Sequence, residues 1–204
     1  MTTFVLATHN AHKVEELRRI LGDRLGHHQL VGYDGPEPVE DADTFEGNAL
    51  IKARAAAVFT GLPAIADDSG IAVDALGGAP GIHSARYALL ANGTPRDDGD
   101  NLRLLLTNMQ GVADRAAQFI CAAALVDVAA VDAGSPFEHT ERGTWPGSVL
   151  EAPAGSGGFG YDPIFRPDGL AVSSAELTAD EKNAQSHRAR AFGLLVAVLR
   201  ARYG

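Results

Sequence analysis

A single cysteine, Cys121, is the first thing this sequence is short of. One thiol excludes an internal disulfide framework and a cysteine-based zinc site, and it suits a cytoplasmic setting. Basic residues are also scarce: 17 Lys and Arg stand against 26 Asp and Glu, a formal charge of -9. That balance argues against a surface that coats DNA or RNA, which needs a basic footprint, but leaves room for a small anion held by a few local cations. Long apolar runs are missing too. No stretch approaches the ~20 residues of a membrane span, and MTTFVLATHN moves straight into strand-like sequence without the basic start expected of a secretory signal. There are no internal repeats, no G-x-x-x-x-G-K-[ST] phosphate loop and no G-x-G-x-x-G after a strand. What is present is 204 residues, 46% hydrophobic, enough for one domain, or two lobes sharing a sheet, with a real core.

The chain is organised around Ile65 to Arg86, IADDSGIAVDALGGAPGIHSAR. An apolar run ending at Ala66 reads as a short buried strand and delivers two carboxylates, Asp67 and Asp68, followed by Ser69 and Gly70. Acids at a strand end before a turn-permitting glycine are where an open α/β sheet places its chemistry. A second apolar stretch, Ile71 to Val73, precedes the glycine-rich loop Gly77 to Gly81. Because strand side chains alternate, only one of the two aspartates can face a given wall. The plainer reading is a turn whose aspartates cap the backbone.

Taken from the start, Phe4 to Ala7 reads as a strand, Thr8-His9-Asn10 as a turn, and Lys13 onward as a helix with Val14, Leu17 and Leu21 inward and Lys13, Glu15, Glu16, Arg18 and Arg19 mainly on its solvated side. A helix start at a strand's mouth suits a phosphate, although Thr8 and Asn10 also serve as ordinary caps. Gln29 to Tyr33 reads as a strand and Asp34 to Asp43 as an acidic, proline-bearing loop. Thr44 is the expected N-cap of a helix through Phe59, in which Asn48 and Lys52 share a face. Beyond the glycine loop, Ala85 to Asn92 is a helix, Asn92 to Pro95 a turn and Asp100 to Met109 a helix. Gln118 to Val131 is a buried strand or strand pair, and Phe137 to Val149 is a strand turning at Pro146-Gly147. A second glycine loop, Gly155 to Pro163, offers the flat faces of Phe159 and Tyr161 for stacking a ring. A Thr178–Glu181 capping box opens a helix carrying Lys182, and a last helix turns Phe192, Leu195, Val196 and Leu199 inward. Lys182, His187 and Arg188 concentrate hydrogen-bond donors, or form a solvated basic face. With hard acids plentiful and one cysteine, the residues point to a Mg²⁺- or Mn²⁺-dependent enzyme acting on a nucleoside phosphate.

Five blocks carry a resemblance: Leu6 to Lys13, Ile65 to Gly70, Leu76 to Gly81, Phe159 to Pro163, and Glu181 to Asn183 with Ser186 to Arg188. In this order and spacing the chain resembles the inosine/xanthosine triphosphate pyrophosphatase family, the Ham1-like enzymes that hydrolyse non-standard purine triphosphates to the monophosphate and pyrophosphate. The resemblance implies one α/β domain over 1–204, two-lobed, with a long central mixed sheet flanked by helices and a nucleotide cleft between the lobes, assembled as a homodimer without nucleic acid or membrane. It implies that Thr8, His9, Asn10, Ala11, His12 and Lys13 contact the triphosphate, His9 through its backbone. Asp68 is implied as the catalytic acid/base and, with Glu40, as a ligand of Mg²⁺, for which Mn²⁺ is a substitute. Lys52 is implied to face phosphate, Ser69 to touch substrate, and Phe159, Gly160, Tyr161, Asp162, Lys182, His187 and Arg188 to bind base and phosphate. One departure is Gly47 before Asn48, where many relatives carry glutamate; Glu46 lies one position earlier. The rival readings are a pyrophosphatase for modified pyrimidine triphosphates and a non-catalytic nucleotide sensor.

Overall fold

The computed structural model describes residues 1–93, 95, 97–132 and 134–204, with backbone alone for 23, 131 and 132. Strand β1 (Thr3–Leu6) leads into α1 (Ala11–Leu21), then β2 (Gln29–Gly32), α2 (Phe45–Thr60) and β3 (Ala64–Val73). There follow α3 (Tyr87–Asn92), α4 (Asp98–Asn108), the long strands β4 (Ala116–Asp132) and β5 (Ser135–Val149), and short β6 (Phe165–Pro167). Helices α5 (Ala179–Gln185) and α6 (His187–Tyr203) end the chain. The strands form one sheet in the order β2-β1-β3-β4-β5-β6. It is mixed, since β1 is parallel to β2 and β3 while β6 runs antiparallel to β5. The expected α/β class is therefore found, with helices flanking a mixed sheet.

Local chemistry sets the helix ends. Asn10 caps α1 by accepting from the Lys13 N–H, so the helix starts two residues before the expected Lys13, and Gly22 closes it. Thr44 caps α2 as expected, and Gly61, in the left-handed region at φ 69°, ends it. Helix α4 starts slightly earlier than expected, because Asp97 caps it by accepting from the Asp100 N–H at 2.8 Å. Of the turn expected over Asn92 to Pro95, Asn92 instead ends α3 and Gly93 caps that helix, while Thr94 lies outside the described residues.

Two expected turns are instead strand. Strand β3 runs unbroken through Asp67, Asp68, Ser69 and Gly70. Gly70 is there for close approach: a Cβ on it would run into Ser84 Oγ and the Gly81 carbonyl. Likewise β5 continues through Pro146-Gly147, and Gly147 pairs with Pro167 of β6, whose neighbour Arg166 leaves no room for a side chain. The choice left open for the apolar run 118–131 resolves as one strand. Residues 119–127 are all buried, as a central strand covered on both faces requires, and this hides the alternation that usually marks a strand.

The chain divides into two compact units: Met1–Asp68 with Cys121–Gly143 and His187–Gly204, and Ser69–Ile120 with Thr144–Ser186. In the first, Leu17, Ile20 and Leu21 of α1 and Phe192, Leu195 and Leu199 of α6 join Phe4, Leu6, Ile65 and Leu125 in one core. In the second, Ile71, Val73, Leu105, Met109, Phe119, Trp145 and Phe165 form another, with Phe119 and Phe165 ring centroids 4.4 Å apart. Among the described residues no helix is long and apolar enough to cross a membrane.

Gly70→Ala is expected to destabilise the protein by about 1–3 kcal/mol, the usual cost of forcing volume into a packed site. Urea unfolding measures it. A variant as stable as the wild type would mean that β3 and the Gly81–Ser84 turn are not in tight contact.

Candidate active site

In the first unit the turn between β1 and α1 is tied by short polar contacts. Thr8 Oγ1 accepts from the Asn10 N–H at 3.2 Å, and Asn10 Oδ1 accepts from the Lys13 N–H at 3.1 Å. These are the ordinary caps that the plainer reading assigned to Thr8 and Asn10. The geometry also directs Lys13 inward, where its Nζ lies 3.0 Å from Asp67 Oδ2. His9, Ala11 and His12 are exposed at the same turn, and the His9 ring sits 5.4 Å from that of Tyr33.

Asp67 is buried between two cations, with Arg188 Nε 3.3 Å from the oxygen that Lys13 reaches. Arg188 Nη1 also donates to Glu16 Oε2 at 2.9 Å, so Glu16 is a buried partner and not part of a solvated helix face. Strand alternation shows in the company each aspartate keeps. Asp68 Oδ1 accepts from Lys52 Nζ at 3.1 Å, and Asn48 Nδ2 lies 3.4 Å from Asp68 Oδ2. Lys52 Nζ stands 3.4 Å from Glu40 Oε2 as well, so one ammonium is shared by two carboxylates. The expected placement of Asn48 and Lys52 on one face of α2 is found.

Gly47 explains how the acidic loop reaches this point. A Cβ there would lie 2.6 Å from Ala42 Cβ, so only glycine lets the loop close over the first turn of α2. The Ala42 N–H then donates to Asn48 Oδ1 at 3.0 Å. Helix α2 thus brings an amide and an ammonium to Asp68. Its carboxylate, Glu46, pairs instead with Arg142 at 3.0 Å on the surface.

Charge coupling decides the ionisation of this group. Burial disfavours the Asp67 carboxylate, but Lys13, Arg188 and Lys52 outweigh it and hold its pKa far below the ordinary carboxylate range. For Lys13, burial pushes the pKa down, with Lys52 and Arg188 adding to the effect and Asp67 opposing it. For Lys52, burial pulls the same way but Asp68, Asp67 and Glu40 overcome it, and its pKa rises. Arg188 and buried His187 open α6, whose first turn lies against the backbone of Gly143; a Cβ on Gly143 would collide with the His187 carbonyl and the Ala191 N–H.

The second unit holds Ser69 and the other expected residues. Asp162 is buried and takes a 2.6 Å ion pair from Lys182 Nζ, with 2.8 Å hydrogen bonds from the Phe159 N–H and the Ser174 hydroxyl. Gly158 has no side chain because one would strike the Asp162 carboxylate. Lys182 lies 5.2 Å above the centre of the Phe159 ring. The Tyr161 ring corrects an expectation: it is buried in the core, its hydroxyl donating to the Ser84 carbonyl at 2.9 Å, and offers no face for stacking. Of the two aromatics, only Phe159 keeps its ring partly exposed.

Among the described residues no three or more His, Cys, Asp or Glu side chains form a metal-ligand group; Glu40 and Asp68 are joined only through the Lys52 ammonium they share. A sequence model described as the Ham1 family matches residues 4–198. This chain belongs to the Ham1 family. It is 55% identical to a dITP/XTP pyrophosphatase of Leifsonia xyli subsp. xyli, covering 98% of this chain and 97% of that protein. It is 51% identical to one of Streptomyces coelicolor over the full length of both. A solved Ham1 protein from Coxiella burnetii superimposes with a TM-score of 0.85 at 38% identity, covering 98% of this chain and 100% of the other. A dITP/XTP pyrophosphatase from Mycobacterium abscessus does so with a TM-score of 0.72 at 42% identity, covering 95% and 98%. Sequence reasoning on this Ham1 chain missed Glu16 and the part Asp67 plays. For Glu16 a signal existed, since it lies three residues from Lys13 and so on the same helix face; Ser174 carried none.

Removing one partner of a buried ion pair strands the other charge and costs about 3–5 kcal/mol. Asp67→Asn should therefore lower stability at pH 7 on that scale. Because the folded pKa of Asp67 lies below its unfolded value of about 3.9, its contribution is complete above that pH and fades as pH falls below it. Urea titrations from pH 7 down to pH 3 should show a shallower acid slope in the variant, and equal stability at pH 7 would remove Asp67 from this role.

Proposed function

We propose that this protein hydrolyses non-standard purine nucleoside triphosphates, namely dITP, ITP and XTP, to the monophosphate and pyrophosphate, clearing them before they enter DNA or RNA. The observation that carries the reading is Asp68 set among Lys52, Asn48 and Glu40 in a chain of the Ham1 family. In the proposed reaction a water oxygen attacks the α-phosphorus, and Asp68 takes the proton that this water loses. The bond from that phosphorus to the bridging oxygen breaks, and pyrophosphate leaves with the electron pair. Lys13, Lys52 and Arg188 offset the charge that grows on the departing oxygens. The start of α1, with Thr8, His9, Asn10, Ala11 and His12, suits the phosphate chain because peptide N–H groups and the helix dipole favour an anion there.

A divalent cation fits the donors present. Glu40 and Asp68 are hard oxygen ligands drawn to a single positive group, the Lys52 ammonium. Mg²⁺ is commonly held by one or two carboxylates, with phosphate oxygens and water completing its shell. Mg²⁺, or Mn²⁺ in its place, would be held by these two residues and would supply neutralisation of the phosphate charge.

Base choice rests on the loop at Phe159. The Asp162 carboxylate already accepts from three internal donors, whereas the N–H groups of Gly160 and Tyr161 donate to no group among the described residues. These suit the O6 acceptor of hypoxanthine or xanthine, with Phe159 against the ring; Ser69 and His187 complete the proposed set of substrate-binding residues. Adenine carries an amino donor at that position, and leaving a desolvated donor unmatched costs about 1–3 kcal/mol. Buried Cys121 suits a cytoplasmic setting, and the family resemblance extends to a homodimer, which light scattering of the purified protein tests.

Asp68→Asn should lower kcat by about 10²–10⁴-fold, the usual worth of a general base, while its circular dichroism stays that of the wild type. EDTA should stop pyrophosphate release and Mg²⁺ restore it; turnover that persists in EDTA would exclude the cation. Across a nucleotide panel, kcat/KM for ITP, dITP and XTP should exceed that for ATP by up to roughly 10⁴-fold. Nucleotide binding with no pyrophosphate release would mark a sensor instead.

A further inference from the structure

The residues just before α5 grip the glycine-rich loop along its whole length. At its start, Ser173 Oγ donates to the Ala154 carbonyl at 2.7 Å. In its middle, the Gly157 N–H donates to the Ala175 carbonyl at 2.9 Å. At its end, Ser174 Oγ lies 2.8 Å from Asp162 Oδ1 and 3.1 Å from the Asp162 carbonyl. The grip is itself rigid. Glu176 accepts from the Ser173 N–H at 2.8 Å in a capping box, and Ser173, Ser174 and Ala175 are buried. Gly155, at φ 77°, lies so close that a Cβ would strike the backbone of Ala175.

A loop this rich in glycine samples many conformations, and ordering it at the moment of binding weakens affinity. Here the ordering is done in advance, and Asp162 is the hub. Its carboxylate holds the Phe159 N–H and Lys182, and Ser174 holds the carboxylate.

We propose that Ser174 is a positioning residue for base recognition: through Asp162 it fixes where the Phe159 ring and the Gly160 and Tyr161 N–H groups stand. This rests on the base-binding reading of the loop given above. Ser174 touches no substrate itself. Its loss loosens the geometry that separates an O6 acceptor from an amino donor and leaves the Asp68 chemistry alone.

The test is steady-state kinetics of the full-length Ser174→Ala variant with ITP and ATP. The expected result is a KM for ITP raised about tenfold, kcat within about twofold of wild type, and an ITP-over-ATP ratio of kcat/KM narrowed about tenfold, the scale of one lost hydrogen bond to a charged group. An unchanged ratio overturns the proposal, as does an equal fall for both nucleotides, which a merely structural role gives. Should Ser174→Ala fail to fold, Ser174→Cys carries the test, since it fills the same space with a weaker donor to Asp162; a narrowed ratio supports the proposal and an unchanged one overturns it. A wild type with no preference for ITP overturns the base-binding reading itself. A preference of undiminished size in the variant overturns the role of Ser174 alone.

Discussion

Everything in the first unit's charged cluster depends on one buried carboxylate. Three cations, Lys13, Lys52 and Arg188, stand near one another, and two of them meet at Asp67 Oδ2. Without that negative charge they would repel one another; even with it, burial, with Lys52 and Arg188 adding to the effect, holds the Lys13 pKa below its ordinary value. A buried ion pair is seldom worth much as stabilisation, because desolvation consumes most of the attraction. Its value here is positional. Asp67 ties α1, through Lys13, and α6, through Arg188, to the middle of β3, so helices that meet the sheet separately present their cations together.

The same device recurs with different consequences. Asp162 is saturated: an ammonium, a hydroxyl and a peptide N–H fill its oxygens, so it acts as a fixed hub. Asp68 is also engaged, but by Lys52, which it shares with Glu40, and at longer range by Asn48. A shared ammonium is a partner that can be exchanged for another positive group or moved to a phosphate. Saturation suits recognition, where the geometry should be set beforehand. Exchange suits catalysis, where a carboxylate must be ready to take a proton.

Glycines mark where backbones come close enough to build these arrangements. Gly143 lets the first turn of α6 lie on β5, Gly47 lets the acidic loop fold onto α2, and Gly158 leaves room for the Asp162 carboxylate. In each case a neighbour occupies the space of the missing side chain. Reading such residues as turns is natural from sequence, since both uses exploit the absent Cβ. At Gly70 and Gly147 that reading failed because the contact comes from residues that only the fold brings alongside.

What the sequence determined by itself was short-range. The caps at Asn10, Thr44 and Thr178, the apolar face of α1 and the shared face of Asn48 and Lys52 all follow from spacings of three or four residues. Such interactions need only a helix to exist. The α/β class followed from the alternation of these segments, and the order of the glycine and acidic blocks carried the family. Tertiary structure decided the partners. Lys13 and Asp67 lie 54 residues apart, Asp67 and Arg188 121, and Glu16 and Arg188 172. A single chain read residue by residue holds no signal for which distant charge meets which. That depends on strand order and on the packing of α1 and α6 on one sheet, where burial makes the choice of partner strict because an unmatched charge has no water to turn to.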